Sequence, residues 1–352
     1  LTKGASAPFF YAEFHQEWYV KIIGTGLQQF LAGAEVRLPT FRQRLPWLGA
    51  DLQTVRNSLR KRSDAPQVHH RLAVPISGGQ ALSLAVTKPT EQVEGTPALI
   101  LVHGLGGAED SAYMEAATHY YSRLGWVVYR MNYRGVGPSA ETSTAPYSAG
   151  LTGDMRSVLN AVAAKHDGGT IFAMGFSLGG QLLLRTAGEG DVNSKLKAIV
   201  TVSAPLDLST SQQRLERPRN ARYVRYLVDN MKRDMRGIEH EAITANIEAI
   251  SSVLEFDEHV IARFFGFASA QDYYACVSCL PLIRKISVPA LALHSADDPW
   301  IPVADYERAL WPKDRPVGAV VVPRGGHVGF HGKAPSRNWY CAAAEAFFAV
   351  NM

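Results

Sequence analysis

The stretch GFSLGG, Gly175 to Gly180, sets a serine between glycines at two-residue spacing. A serine hydroxyl is a poor nucleophile unless a base takes its proton and its oxygen faces the substrate. In a G-x-S-x-G turn the chain passes sharply from strand to helix. This lifts the hydroxyl above the sheet, and the small flanking residues let neighbouring segments pack closely. The context here matches: the apolar run TIFAMGF (170–176) precedes Ser177, and LGGQLLLRTAG, with leucines at helical spacing, follows it. Ser177 is therefore the candidate nucleophile.

Such a nucleophile needs a base and an acid, and in this arrangement the chain order is serine, acid, histidine. VPALALHS (288–295) is followed by ADDPWIP, which places Asp297 and Asp298 just beyond a strand. VGAVVVP (317–323) is followed by RGGHVGF, which places His327 in a loop. Open α/β sheets build their sites at the carboxyl ends of the strands, so all three groups would meet at one edge. His327 would take the serine proton, and an aspartate would orient the imidazole. Counting back from Pro302 favours Asp298, whereas counting forward from the strand and the SAD triplet favours Asp297. Asp297 is taken as the acid, with Asp298 as the alternative and the other carboxylate bound to nearby backbone amides. A metal pair of His327 and His331 has ligand spacing only on a helix, which Gly329 and Gly332 oppose. HGLGG (103–107) supplies a glycine-rich turn after an early strand. The backbone N–H groups of Leu105 and Leu178 are the candidate donors to a developing oxyanion. A nucleotide loop is disfavoured, because Glu109 falls where G-x-G-x-x-G needs its last glycine and no G-K-[ST] follows.

The elements that must carry these groups alternate from about residue 68. VHHRLAV and QALSLAV read as an antiparallel pair around Ser77-Gly78-Gly79. Strands then fall at 98–104, 126–133, 170–176, 196–203, 288–295 and 317–323. Helices are expected near 111–124 and 150–166, after Ser177, and over RNWYCAAAEAFFAV. Several strands are continuous apolar runs, the mark of a parallel sheet covered on both faces. The fold class is thus α/β, a mostly parallel doubly wound sheet. Three parts are expected: an N-terminal extension (1–67), a core (68–205 and 286–352) and a helical lid or cap inserted at 206–285.

An apolar fraction of 47% with 19% charged residues is that of a globular chain. A net charge of +4 is too mild for nucleic acid. No run approaches the roughly 20 apolar residues of a membrane span. LTKGASAPFF lacks a signal-peptide layout. Cys276 and Cys279 form a lone C-x-x-C without zinc or thioredoxin context. The expectations are a cytoplasmic protein with no cofactor and no metal, and with peripheral membrane contact as one option. Trp18, Ile22, Leu27, Phe30 and Leu31 would line an amphipathic helix lying either on a membrane surface or on the domain itself. The basic run from Arg214 to Arg236 reads as a solvated face or as a surface for anionic headgroups.

With these stretches in view, the chain resembles the α/β-hydrolase superfamily, and within it the YheT-like group with its eukaryotic ABHD-type acyl hydrolases. The similarity rests on PWLGADLQT (46–54), HGLGG, YRMNYRGVGPS (129–139), YSAGLTGD (147–154), GFSLGG, GFASAQDYY (266–274), ADDP and GGHVGF. It runs from about residue 39 to the end. The resemblance implies a Ser–Asp–His esterase acting on small-molecule acyl esters or lipid esters without a cofactor. Ser177 and His327 match directly, and the choice of aspartate stays open.

Overall fold

The computed structural model describes residues 20–59, 65–91, 95–244, 247–334 and 337–352. Nine strands form one sheet in the order β1-β9-β8-β7-β6-β4-β5-β3-β2. They are β1 (Lys21–Ile23), β2 (His70–Ile76), β3 (Gln80–Thr87), β4 (Ala98–Val102), β5 (Val127–Met131), β6 (Ile171–Phe176), β7 (Leu196–Val202), β8 (Ala290–Ser295) and β9 (Val317–Val322). The six strands from β4 to β9 are parallel to their neighbours in that set. β2, β3 and β1 add antiparallel edges. This is the α/β-hydrolase fold.

The apolar runs explain the layering. Every residue of β4, β5, β6, β8 and β9 is buried. Alternate residues of one strand feed opposite faces: Ile100 and Val102 join one core cluster, Leu99 and Leu101 the other. The first face packs α4 (Thr152–Lys165) and α5 (Leu178–Glu189), through Val158, Val162, Leu182 and Leu183. The second packs α1 (Thr25–Gly33), α3 (Ala112–Arg123) and the last helix (Trp339–Ala349). There Trp126, Phe172 and Phe348 stack with ring centroids 4.6 to 5.9 Å apart. Full burial of each such side chain is worth about 1.5–3 kcal/mol before ordering costs.

The N-terminal residues differ in part from expectation. Ile22 lies in β1, paired with Val320 of β9, and not in a helix. Leu27 and Leu31 of α1 are buried in the core, and Phe30 packs edge-on against Phe347. The apolar face of α1 is thus turned to the protein and not to a membrane. Trp18 lies outside the described residues. Among the described residues no helix is long and apolar enough to cross a membrane.

Helix α2 (Ala50–Leu59) follows and reaches the edge where the sheet's carboxyl ends gather. The stretch between β7 and β8 contains α6 (Leu208–Leu215), α7 (Ala221–Asp234) and shorter helical turns. In α7 Val224, Leu227, Val228 and Met231 are buried, while Arg222 and Arg225 on the opposite side are exposed. Part of the basic run is engaged within the protein. Arg214 bonds the Asp298 carbonyl, Arg219 pairs with Asp51 at 2.9 Å, and Lys232 donates to the Glu248 carbonyl. Cys276 is exposed and Cys279 buried, both as free thiols. Burial pushes the Cys279 thiol up, which leaves it unreactive.

Candidate active site

Ser177 stands between β6 and α5 with φ 49° and ψ −119°. That left-handed backbone is strained for a serine, at a cost of about 1–3 kcal/mol. Its surroundings hold it there. Its N–H donates to the Val202 carbonyl at 2.8 Å, and its own carbonyl accepts from Gly180 and Gln181. The flanking glycines are required sterically. A Cβ on Gly179 would stand 2.4 Å from the Val102 carbonyl oxygen, and one on Gly175 would stand 2.4 Å from the Gly179 oxygen.

The Ser177 hydroxyl donates to His327 Nε2 at 2.9 Å. His327 Nδ1 lies 2.9 Å from Asp298 Oδ2, and because a carboxylate only accepts, Nδ1 carries the proton. The acid on the histidine is therefore Asp298, which corrects the expectation of Asp297. The Asp298 carboxylate is fully buried, and its Oδ1 accepts from the N–H groups of Trp300 and Ile301. Burial alone would push this carboxyl up. His327, through charge and hydrogen bond, together with His294 and the Ile301 N–H, holds it below the ordinary carboxylate value. Asp297, one residue earlier, points to the other side of the turn. Its Oδ1 accepts from Gly325 and Gly326 at 2.8 and 2.9 Å and so shapes the loop that bears the histidine.

Residues from three directions fix this constellation. Thr54 Oγ1 of α2 accepts the His327 N–H at 2.9 Å. Gln53 both donates to the His331 carbonyl and accepts from its N–H, so His331 is a structural residue of the loop. Arg214 of α6 donates through Nε and Nη2 to the Asp298 carbonyl at 3.1 and 2.8 Å. The Trp300 ring lies 4.2 Å from the His327 ring, centroid to centroid. Sequence reasoning gave Thr54 and Gln53 no role and read Arg214 only as part of the basic run. The only signal for the first two is that they sit in PWLGADLQT, one of the stretches that carry the resemblance.

The HGLGG turn lies directly over the serine. A Cβ on Gly104 would come within 3.0 Å of Ser177 Cβ. The Gly104 N–H is taken by Tyr113 Oη, that of Gly106 by Tyr147 Oη, and that of Gly107 by the Gly104 carbonyl. The Leu105 N–H has no acceptor among the described residues, and neither does that of Leu178, first in α5. Both leucines and Ser177 line a cavity of about 660 Å³. Its far wall comes from the 206–285 stretch and is largely apolar: Leu215, Leu227, Met231, Phe256 and Ile261. Two acids of the same stretch, Asp234 and Asp257, also line it. Burial pushes the Asp234 carboxyl up to about 6 and that of Asp257 up to about 7, the latter bonded to Tyr274 Oη at 2.6 Å.

The family model described as serine aminopeptidase, S33, a hydrolase family, matches residues 94–311. The chain belongs to this family. The matched span of this S33-family hydrolase includes the HGLGG turn, Ser177 and Asp298 and ends before His327. YheT of Escherichia coli (strain K12) is 29% identical over 270 residues, covering 74% of this chain and 78% of that protein. A monoacylglycerol lipase of Saccharomyces cerevisiae is 29% identical over 274 residues, 73% of this chain and 60% of that one. Phospholipase ABHD3 of Mus musculus is 27% identical over 239 residues, 66% of this chain and 58% of that one. The chain thus spans less than two thirds of the lipase and phospholipase. Among solved structures, an esterase from Pyrococcus furiosus aligns with a TM-score of 0.54 at 15% identity, covering 80% of this chain and 92% of that one. At that identity the likeness is one of fold.

Proposed function

We propose that this S33-family hydrolase cleaves carboxylic esters through Ser177, His327 and Asp298 and an acyl-enzyme intermediate. The observation that carries the reading is the unbroken hydrogen-bond relay from Ser177 Oγ through His327 to buried Asp298, open to a largely apolar cavity. In this reading His327 Nε2 takes the hydroxyl proton as Ser177 Oγ attacks the ester carbonyl. The N–H groups of Leu105 and Leu178 receive the charge that develops on the carbonyl oxygen, an interaction typically worth about 3–4 kcal/mol per donor. The imidazolium, steadied by Asp298, returns its proton to the departing alcohol. A water then attacks the acyl-serine, with His327 again taking the proton. The stretch 206–285 serves as the lid that closes over the bound ester. No resident cofactor or metal enters the scheme.

A lipid ester is the substrate class that the cavity favours. Its volume lies within the range for drug-sized ligands, its far wall is apolar, and the lipase and phospholipase among the relatives fit that chemistry. Fluorophosphonate labelling tests the proposal. Covalent capture of the intact protein that disappears in Ser177→Ala is expected, and a protein that takes no label would instead be a binding module on a hydrolase scaffold.

A further inference from the structure

Helix α7 carries a polar pair within its otherwise apolar inner face. Leu227, Asn230, Met231 and Asp234 follow one another at three- and four-residue spacing, so they share one side of the helix, and all four line the cavity. Asn230 is only 5% exposed. Its Oδ1 accepts from Arg233 Nη2 at 2.6 Å. A guanidinium only donates, so this contact decides which way the amide faces: oxygen toward Arg233, nitrogen away from it. Nδ2 has no acceptor among the described residues. It lies 3.4 Å from where a Cβ on Gly106 would stand, against the turn that covers Ser177. A buried amide without an acceptor costs about 1–3 kcal/mol, so such a group persists where a ligand supplies the acceptor.

Gly106 also links to a carboxyl on the same helix. Tyr147 Oη takes the Gly106 N–H at 3.1 Å and in turn reaches Asp234 Oδ2 at 3.3 Å. Near Gly106 the cavity wall therefore holds a buried amide donor on Asn230, unpartnered among the described residues, and a carboxyl on Asp234, four residues apart on one helix face. A hydroxyl group has the chemistry to accept from the one and donate to the other. A methyl group satisfies neither. An anionic group would bring its charge beside Asp234, with Asp110 and Glu115 also lining the cavity and the one arginine there among the described residues, Arg233, already bonded to Asn230.

We infer that Asn230 and Asp234 form a specificity subsite for a hydroxyl group carried by the ester substrate. The inference rests on the ester-hydrolase reading above. Two matched ester pairs test it, each exchanging a methyl for a hydroxyl. Propyl butyrate against 2-hydroxyethyl butyrate places the change in the leaving alcohol. Ethyl 3-methylbutyrate against ethyl 3-hydroxybutyrate places it in the acyl part. A preference of about tenfold in kcat/KM for the hydroxylated member is expected in one pair, and that pair identifies the side of the scissile bond that faces α7. Asn230→Asp keeps the acceptor for Arg233 while removing the donor, and should bring the ratio to within about twofold of unity, as should Asn230→Leu. Asp229→Asn, on the exposed side of the same helix, should leave the ratio as it is. Fluorophosphonate labelling of each variant confirms that its site is assembled, and Asp234→Asn supplies a second route if one Asn230 variant does not fold. Ratios near unity in the unaltered protein, or a preference that survives in Asn230→Asp and Asn230→Leu, would overturn the subsite alone. No turnover of any of the four esters would overturn the ester-hydrolase reading and the subsite with it.

Discussion

Replacing Asp298 by Asn should lower kcat by about four orders of magnitude, about 5 kcal/mol of barrier, while Asp297→Asn should stay within about threefold of the unaltered protein. The contrast follows from which atoms each carboxylate serves. Asp298 Oδ1 accepts two backbone N–H groups, from Trp300 and Ile301, and Oδ2 accepts from His327 Nδ1. An asparagine at 298 must keep its oxygen on the two amides and turn its NH2 toward the imidazole. His327 Nδ1 then becomes the acceptor and the proton moves to Nε2, the atom that should receive the serine proton. The wrong tautomer is fixed without any change of shape. Asp297 Oδ1 alone takes the amides of Gly325 and Gly326, and an asparagine oxygen accepts both equally well. The assay is kcat and KM on p-nitrophenyl butyrate, normalised to the fraction of protein that a fluorophosphonate titrates. A loss of less than tenfold in Asp298→Asn, or an equal loss in Asp297→Asn, would refute the assignment.

Three further outcomes are expected. Thr54→Val removes the acceptor for the His327 N–H and should cost about 1–3 kcal/mol in urea unfolding; Thr54→Ser should restore it, and a serine variant as unstable as the valine one would count against the role given to Oγ1. Gly179→Ala drives a Cβ to 2.4 Å from the Val102 oxygen and should cost about 1–3 kcal/mol or prevent folding, while Gly153→Ala, with open space around it on α4, should be tolerated in the same thermal melts. Burial raises the folded-state pKa of Asp257 to about 7, above its unfolded value, so folding disfavours the charged form. Stability should therefore fall as pH rises from about 4 to about 7, and Asp257→Asn should flatten that decline in pH-dependent melts; an unchanged slope would show that this carboxyl ionises freely.

How far the sequence could be read differs by element, for physical reasons. Strands that are buried on both faces announce themselves as apolar runs, and β4 to β9 lie where those runs are, while β2 and β3 are read from the antiparallel pair around Ser77-Gly78-Gly79. β1 escaped because three residues, Lys21 to Ile23, hold no periodicity, and its strand character comes from pairing with β9. The candidate nucleophile and base follow from local chemistry, a strained glycine-flanked turn and a loop histidine at the sheet's carboxyl edge. The acid does not. Asp297 and Asp298 follow the same strand, and only the turn closed by the Asp298 N–H on the Ser295 carbonyl decides which side chain swings inward. The positioning groups, Gln53, Thr54 and Arg214, act across long sequence distances, for which one chain carries no local sign. Asn230 did leave a trace, a lone amide between Leu227 and Met231 in an apolar stripe, which means little until the stripe is seen to face a cavity.

The grip of α2 on the histidine loop joins segments far apart in the chain, since Thr54 and His327 are 273 residues apart and Gln53 and His331 are 278 apart. During synthesis the helix emerges early and must wait, its Thr54 and Gln53 without their partners, until the loop beyond Val322 has left the ribosome. Ser177 is in place long before its base. A chain aborted before Gly325 would have the serine turn with nothing to take its proton, so under the proposed mechanism the nascent protein stays inert toward esters until the histidine loop has emerged.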